Sequence, residues 1–260
     1  MKLLFIGDIV GRAGRRAVRE LMPAIKEEEE IDFVIANGEN AAGGFGITNK
    51  VAEELYGYGI DVLTMGNHTW DNKEIFDFID DDSNLIRPYN YPPGTPGRGY
   101  GVYEVESGIK IGVVNLLGRI FMDNVDCPFR SLEELLPDIE ADFTIVDFHA
   151  EATAEKIGLG RYFDGEVAAV LGTHTHVQTA DEKVLSEGTA YITDLGLTGG
   201  VESILGMKEE EPLKKLTTQL PQRFSVATGD TQLTGVIVEL DLETGLAESI
   251  TRVREVHLNQ

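Results

Sequence analysis

Lys2-Leu-Leu-Phe-Ile6 runs straight into Gly7-Asp-Ile-Val-Gly11, and the reading of that junction decides the fold. A short apolar run closed by glycine has the length and composition of a buried strand. Asp8 then stands in the loop leaving it. From residue 15 to about residue 28, Ala17, Val18, Leu21, Met22 and Ile25 recur at helical spacing, with Pro23 as a candidate kink. The unit repeats. Phe33-Val-Ile-Ala36 reads as a strand that enters Asn37-Gly-Glu-Asn-Ala-Ala-Gly-Gly44, with a helix over residues 49–58. Residues 62–65 form a third strand ending in Gly66-Asn-His-Thr-Trp70, followed by a short helix over 74–79. Three successive βα units predict a largely parallel sheet with helices packed outside it.

The middle of the chain breaks the pattern. Residues 88–101 are rich in Pro, Gly and Tyr and read as irregular loop, and residues 101–105 and 109–115 flank Glu106-Ser-Gly108 as a hairpin. Residues 116–130 carry few regular signals and suggest a lid or a partner surface. A helix over 132–136 leads to strands over 143–148 and 167–171. Residues 232–240 and 247–256, either side of Glu243-Thr-Gly245, make a second hairpin. Such antiparallel pairs favour a mixed, layered α/β sheet over an eight-stranded barrel. With no long linker, repeat or low-complexity segment, residues 1–260 read as one domain.

Composition narrows the function. The 260 residues hold 22 Lys+Arg against 45 Asp+Glu, a net charge of −23, and a field of that sign repels duplex nucleic acid and anionic lipid. No apolar stretch approaches the roughly 20 residues of a membrane span. Asp8 and the Arg12, Arg15, Arg16 cluster interrupt any signal-peptide core, so a cytoplasmic protein is expected. Cys127 is the only cysteine, which excludes an internal disulfide and multi-thiolate metal sites. Any metal must sit on nitrogen and oxygen.

The polar residues just past the strands supply such a set: Asp8, Glu39, Asn40, Asn67, His68, Asn115, His149, His174 and His176. Four of the five histidines are among them, and only His257 falls outside. In open α/β sheets the carboxyl ends of strands face the ligand crevice, so distant residues can converge there. Each residue also has a plain structural reading: Asp8 as a cap, Asn40 and Asn67 as turn residues, His149 as a hydrogen-bonded core histidine. The His174-Thr-His176 pair is harder to read so, because alternate residues of an extended segment project to one side. Asp8, Glu39, Asn40, Asn67, His149, His174 and His176 exceed the ligand set of one catalytic zinc and suit two metals, with Glu39 able to bridge them.

The wording of these blocks carries a resemblance. Gly7-Asp8, Asn37-Gly-Glu39-Asn40, Gly66-Asn67-His68, His149 and Gly172-Thr-His174-Thr-His176 resemble the signature of calcineurin-like metallophosphoesterases. With Glu39-Asn-Ala-Ala-Gly-Gly-Phe-Gly46, Val114-Asn-Leu-Leu-Gly-Arg119 and Asp147-Phe-His-Ala-Glu-Ala-Thr153, the chain is similar to the YmdB-like subfamily. The resemblance implies an α/β fold with mixed sheets, a single-domain calcineurin-like four-layer αββα sandwich, and hydrolysis of small phosphodiesters, 2′,3′- and 3′,5′-cyclic nucleotides. It implies one metal on Asp8, Glu39, Asn40 and His176 and another on Glu39, Asn67, His149 and His174. Here the Asp-x-His usual in the wider superfamily is Asp8-Ile-Val10, and Glu39 replaces the bridging aspartate; iron or manganese is favoured over zinc. It makes a dimer or tetramer reasonable.

In the mechanism expected, a metal-bridging hydroxide attacks phosphorus in line while His68, next to the ligand Asn67, protonates the leaving ribose oxygen. His68 as a loop hydrogen-bonder or an eighth ligand is the plainer alternative. No substrate-binding residue is assigned. Arg119 is a candidate for phosphate and Trp70 for stacking on a base, each with an ordinary surface or packing reading beside it. Gly7, Gly11 and Gly14 lack the Gly-Lys-Ser/Thr ending of a P-loop. Two rival functions remain: a phosphomonoesterase or nucleotidase on the same metals, and a regulatory binding protein with incidental turnover.

Overall fold

Alternation along the first strand sets the layering. In the computed structural model, which describes residues 1–105 and 108–259, β1 (Lys2–Ile6) turns Leu3 and Phe5 into one apolar cluster and Leu4 and Ile6 into another, all four fully buried. A strand buried on both faces needs a layer packed on each. The elements that follow are β2 (Asp8–Ile9), α1 (Gly11–Glu28), β3 (Phe33–Asn37), α2 (Asn49–Gly57), β4 (Val62–Thr64), β5 (Leu85–Ile86), β6 (Tyr100–Glu104) and β7 (Lys110–Leu117). Then come α3 (Pro128–Leu135), β8 (Phe143–His149), α4 (Thr153–Tyr162), β9 (Ala169–Thr173), β10 (Lys183–Val184), β11 (Ala190–Ile192) and β12 (Leu197–Gly200). The last are α5 (Glu210–Thr218), β13 (Thr231–Asp241) and β14 (Leu246–His257).

They form two mixed sheets. The first runs β2-β12-β13-β1-β3-β4-β5 with β14 added to β13; the second runs β10-β11-β9-β8-β7-β6. In the first the run β1-β3-β4-β5 is parallel out to the β5 edge and meets antiparallel β13 on its other side; in the second the parallel run β7-β8-β9-β11 has an antiparallel strand, β6 or β10, at each end. Leu3, Phe5, Phe33, Ile35 and Val62 of the first sheet meet Ile111, Val113, Phe143, Ile145 and Leu171 of the second. The outer face of the first sheet packs on Val18, Met22 and Ile25 of α1 and Val51 and Leu55 of α2. That of the second packs on Leu132 and Leu135 of α3 and Leu159 of α4. The order helix, sheet, sheet, helix is the four-layer αββα sandwich implied by the resemblance.

Several local expectations shift. The helix expected from residue 15 begins at Gly11, because its first buried positions are Gly11, Ala13 and Gly14, too small to register as an apolar stripe; it runs on through Pro23. The loop expected at 7–11 contains β2, paired in parallel with β12 at Leu197↔Asp8 and Thr198↔Ile9. The helix expected over 74–79 is a 3₁₀ turn, Lys73–Asp77, and the strand expected at 167–171 is β9, two residues later. Strands β6 and β7 pair antiparallel as expected, while Glu106 and Ser107 of their turn lie outside the described residues. The terminal hairpin of β13 and β14 closes at Gly245, whose N–H donates to Asp241 O at 2.9 Å. Sequence reading missed α4, whose buried side includes Lys156 and Gly160, and β12, whose Leu-Thr-Gly-Gly resembles a loop. Among the described residues no helix is long and apolar enough to cross a membrane.

Candidate metal centre

The donors arrive where the parallel strands end. Asp8 lies on β2 just past β1, Glu39 and Asn40 in the turn after β3, and Asn67 and His68 in the turn after β4. His149 is the last residue of β8, and His174 and His176 follow β9. Apart from His68, the first sheet thus brings carboxylates and amides and the second brings imidazoles. His149 Nε2 is 3.2 Å from Glu39 Oε1, 3.0 Å from Asn67 Oδ1 and 3.0 Å from His174 Nδ1. Ligand atoms of Glu39, His149 and His174 all lie within 4.8 Å of one another. His176 Nε2 stands 3.8 Å from Asp8 Oδ1, and His149 Nδ1 3.9 Å from the same oxygen.

Each imidazole has its rear nitrogen occupied. His149 Nδ1 lies 2.9 Å from Thr173 Oγ1, which is itself 2.7 Å from Asp147 Oδ1. An ionised Asp147 can only accept, so the one hydroxyl proton of Thr173 goes to it, and Thr173 oxygen accepts from His149 Nδ1–H. His176 Nδ1–H donates to Leu205 O at 3.1 Å, and His174 Nε2 faces Glu151 Oε2 at 3.2 Å. The nitrogens turned inward are therefore His149 Nε2, His174 Nδ1 and His176 Nε2. Rear hydrogen bonds of this kind fix the tautomer that offers a lone pair to a cation.

The electrostatics ask for positive charge. Burial pushes the Asp8 carboxyl above its usual value, against the pull of His176 and His149. Burial also opposes ionisation of Glu39, but His149 and His68 beside it prevail and bring it down to about 2. Burial disfavours a charged His149; Glu39, Asp8 and Asp147 around it overcome that and hold it up at about 9. His174, pressed by burial and by the charge of His149, falls to about 3. One proton on His149 Nε2 is then faced by Glu39 Oε1, Asn67 Oδ1 and His174 Nδ1, a place equally fitted to a metal ion. Asp8 Oδ1 and Asn40 Oδ1 are buried without any hydrogen-bond partner, a costly state that coordination would relieve. Gly66 keeps the space open: a Cβ there would lie 2.5 Å from both Glu39 Oε2 and His149 Nε2. The donor set and the orphaned oxygens fit metal binding on nitrogen and oxygen ligands.

The sequence model of a family described as YmdB-like protein matches residues 4–253. The chain belongs to this family. It is 51% identical over 255 residues, 97% of this chain and 96% of the other, to a 2′,3′-cyclic-nucleotide 2′-phosphodiesterase of Bacillus subtilis (strain 168). Among solved structures, a hypothetical protein from Thermus thermophilus superposes with a TM-score of 0.93 at 43% identity, covering 98% of this chain and 99% of that one. A novel phosphatase from Mycoplasma pneumoniae gives 0.94 at 35% identity, over 100% of this chain and 94% of its own.

In this YmdB-like chain the residues singled out from sequence mostly meet, though not always for the reason given. His174 and His176 do not alternate along an extended strand. Their φ values are 104° and 64°, so each lies in a left-handed bend. Asn115 stands apart, its Oδ1 accepting from Met65 N at 3.3 Å and its Nδ2 donating to Asp147 O at 3.4 Å. Arg119 is exposed, its backbone N–H donating to Glu155. Asp147, Thr173 and Glu151 escaped notice as functional groups. A carboxylate inside the apolar run of β8, two positions before His149, was the available signal; the carbonyl of Leu205 left none.

Proposed function

We propose that this YmdB-like protein is a metal-dependent phosphodiesterase that opens 2′,3′-cyclic nucleotides at the 2′ oxygen and releases a nucleoside 3′-phosphate. The observation that carries the reading is the convergence of inward-facing imidazole nitrogens with Glu39, Asn67 and the two unpartnered oxygens of Asp8 and Asn40. The substrate class follows the Bacillus relative, half of whose residues are shared end to end; 3′,5′-cyclic nucleotides are taken as further substrates.

Asp8, Glu39, Asn40 and His176 would hold one ion, and Glu39, Asn67, His149 and His174 the other, with Glu39 between them. Bound there, iron or manganese ions would supply a water of lowered pKa and neutralise charge on the phosphoryl oxygens. His68 is taken as the acid. His68 N donates to Glu39 Oε2 at 2.9 Å, which fixes the residue beside the cluster, and its Nδ1 faces Asp71 Oδ2 at 2.8 Å. Nε2 is the nitrogen left to give a proton to O2′ as the P–O2′ bond breaks. The net charge of −23 supports a small substrate over duplex nucleic acid. A cytoplasmic dimer or tetramer is the expected form.

The test is product analysis on metal-loaded protein given 2′,3′-cyclic AMP. Adenosine 3′-phosphate as the sole product is expected. Adenosine 2′-phosphate would remove the 2′ assignment, and no conversion would remove the substrate. Faster turnover of bis-p-nitrophenyl phosphate than of p-nitrophenyl phosphate separates a diesterase from a phosphomonoesterase. His68→Ala should lower kcat on the nucleotide by about 10²–10⁴-fold and far less on the nitrophenyl diester, whose leaving group needs no proton. An equal loss on both would remove the acid role.

A further inference from the structure

The loop that begins at Asn40 goes on to raise Phe45 at the edge of the donor cluster. Gly44 N donates to Asn40 O at 3.1 Å, Asn40 Nδ2 donates to Gly44 O at 3.2 Å, and Ala42 N donates to Gly46 O at 3.0 Å. Gly44 at φ +103° and Gly46 at φ +70° adopt the left-handed conformations that glycine tolerates best, and a Cβ on Gly46 would meet the backbone N of Asn72 at 2.8 Å. The loop is thus locked, and what it presents is an apolar ring. Phe45 is 40% exposed, and its ring centroid lies 5.0 Å from that of His68 at an interplanar angle of 70°.

Trp70, the aromatic that the sequence offered for stacking, has its ring engaged elsewhere. It stacks on Phe76 at 5.2 Å and 10°, and Tyr91 packs edgewise against it at 5.8 Å and 60°. Phe121 is 90% exposed, but it belongs to the loop whose Arg119 and Ile120 N–H groups bond Glu155, and it makes no ring contact with His68. Among the described residues Phe45 is the ring paired with the candidate acid.

The substrate's own connectivity then places the base. If His68 protonates O2′, the ribose C2′ lies beside the imidazole. The base is carried on C1′, the very next carbon. A flat heterocycle so tethered reaches a ring standing next to His68, and every nucleobase has a π-face to lay on it. We propose, on the cyclic-nucleotide reading above, that Phe45 is the platform on which the substrate's nucleobase stacks. Such a platform attracts by area rather than charge, so it suits a chain of net charge −23, and it ranks purines above pyrimidines without reading hydrogen-bonding edges.

The experiment compares 2′,3′-cyclic AMP with glycerol 1,2-cyclic phosphate, a five-membered cyclic ester with no base. In the wild type KM for the nucleotide should lie well below KM for the glycerol ester. Phe45→Ala should shrink that ratio by about tenfold, and Phe45→Trp should restore it. The same ratio is read without turnover from Kd values for adenosine 3′-phosphate and glycerol phosphate on metal-loaded protein. A wild-type ratio near one, or a ratio unmoved in Phe45→Ala, overturns the stacking role and leaves the diesterase reading intact. No turnover of either ester in the wild type overturns both.

Discussion

Two residues that are not themselves donors, Thr173 and Gly66, shape the surroundings of His149. Thr173 is the acceptor behind its Nδ1 and the link to Asp147, whose other oxygen takes hydrogen bonds from Thr64 Oγ1 at 2.5 Å and Asn37 Nδ2 at 3.1 Å. Thr173→Val keeps the shape and removes the acceptor, so the imidazole loses the bond that fixes its tautomer. Metal affinity should drop by about 10–100-fold with little change in secondary structure, as calorimetric titration of stripped protein would show. Unchanged affinity would mean that Thr173 merely fills space. Gly66 acts by what it lacks. Gly66→Ala places a methyl where Glu39 and His149 meet, and displacement of reacting groups by about 1 Å costs about a hundredfold in rate. At this scale the sequence was legible where donors were concentrated. The histidine pair after β9 was recognisable as a pair, but the left-handed bends that bring His174 to His149 and His176 to Asp8 come from tertiary contacts that spacing does not carry.

The bend at His174 is held by a buried pair from α4 and from the connection between β11 and β12. Lys156 of α4, 1% exposed at its side chain, donates from Nζ to Thr173 O at 2.7 Å and to Asp194 Oδ2 at 2.7 Å. Asp194, 0% exposed, also accepts from Thr175 N at 3.0 Å and Gly196 N at 2.9 Å. The pair thus grips the loop on both sides of His174. Lys156→Met leaves the carboxylate of Asp194 buried without its countercharge, a loss of about 3–5 kcal/mol for a pair broken on one side. Lys156→Met with Asp194→Asn should recover part of this, and a cycle of denaturant midpoints measures the coupling. Additive single losses would mean that the two do not act as a pair. Neither residue was conspicuous in sequence. Thirty-eight positions separate them, and Lys156 sits on the helix whose apolar face it conceals. The βα units were plain because β1, β3 and β4 are apolar runs ending in glycine-rich turns, whereas β12 and the 3₁₀ turn rest on partners supplied from elsewhere.

Across the whole molecule the candidate centre joins the two sheets. Asp8, Glu39, Asn40 and Asn67 come from the first, while His149, His174 and His176 come from the second, and between the sheets lies one continuous apolar cluster. We propose that residues 1–260 unfold as a unit for that reason, and that metal acts as a clamp across the sandwich. Ions that bind the folded chain and not the unfolded one stabilise it by mass action, about 2.7 kcal/mol per site at a hundred times Kd. For a chain of this size that corresponds to a rise in Tm of roughly 5–10 °C per site. Stripping relieves nothing, because the buried oxygens of Asp8 and Asn40 stay unpartnered. Calorimetry of stripped protein titrated with manganese should therefore show one transition whose Tm climbs with metal concentration beyond stoichiometric loading. Asp8→Asn, which removes the charge of a proposed ligand on the first-sheet side, should flatten the climb. A Tm indifferent to metal, or two transitions of which only one responds, would show that the sheets are not clamped together at this centre.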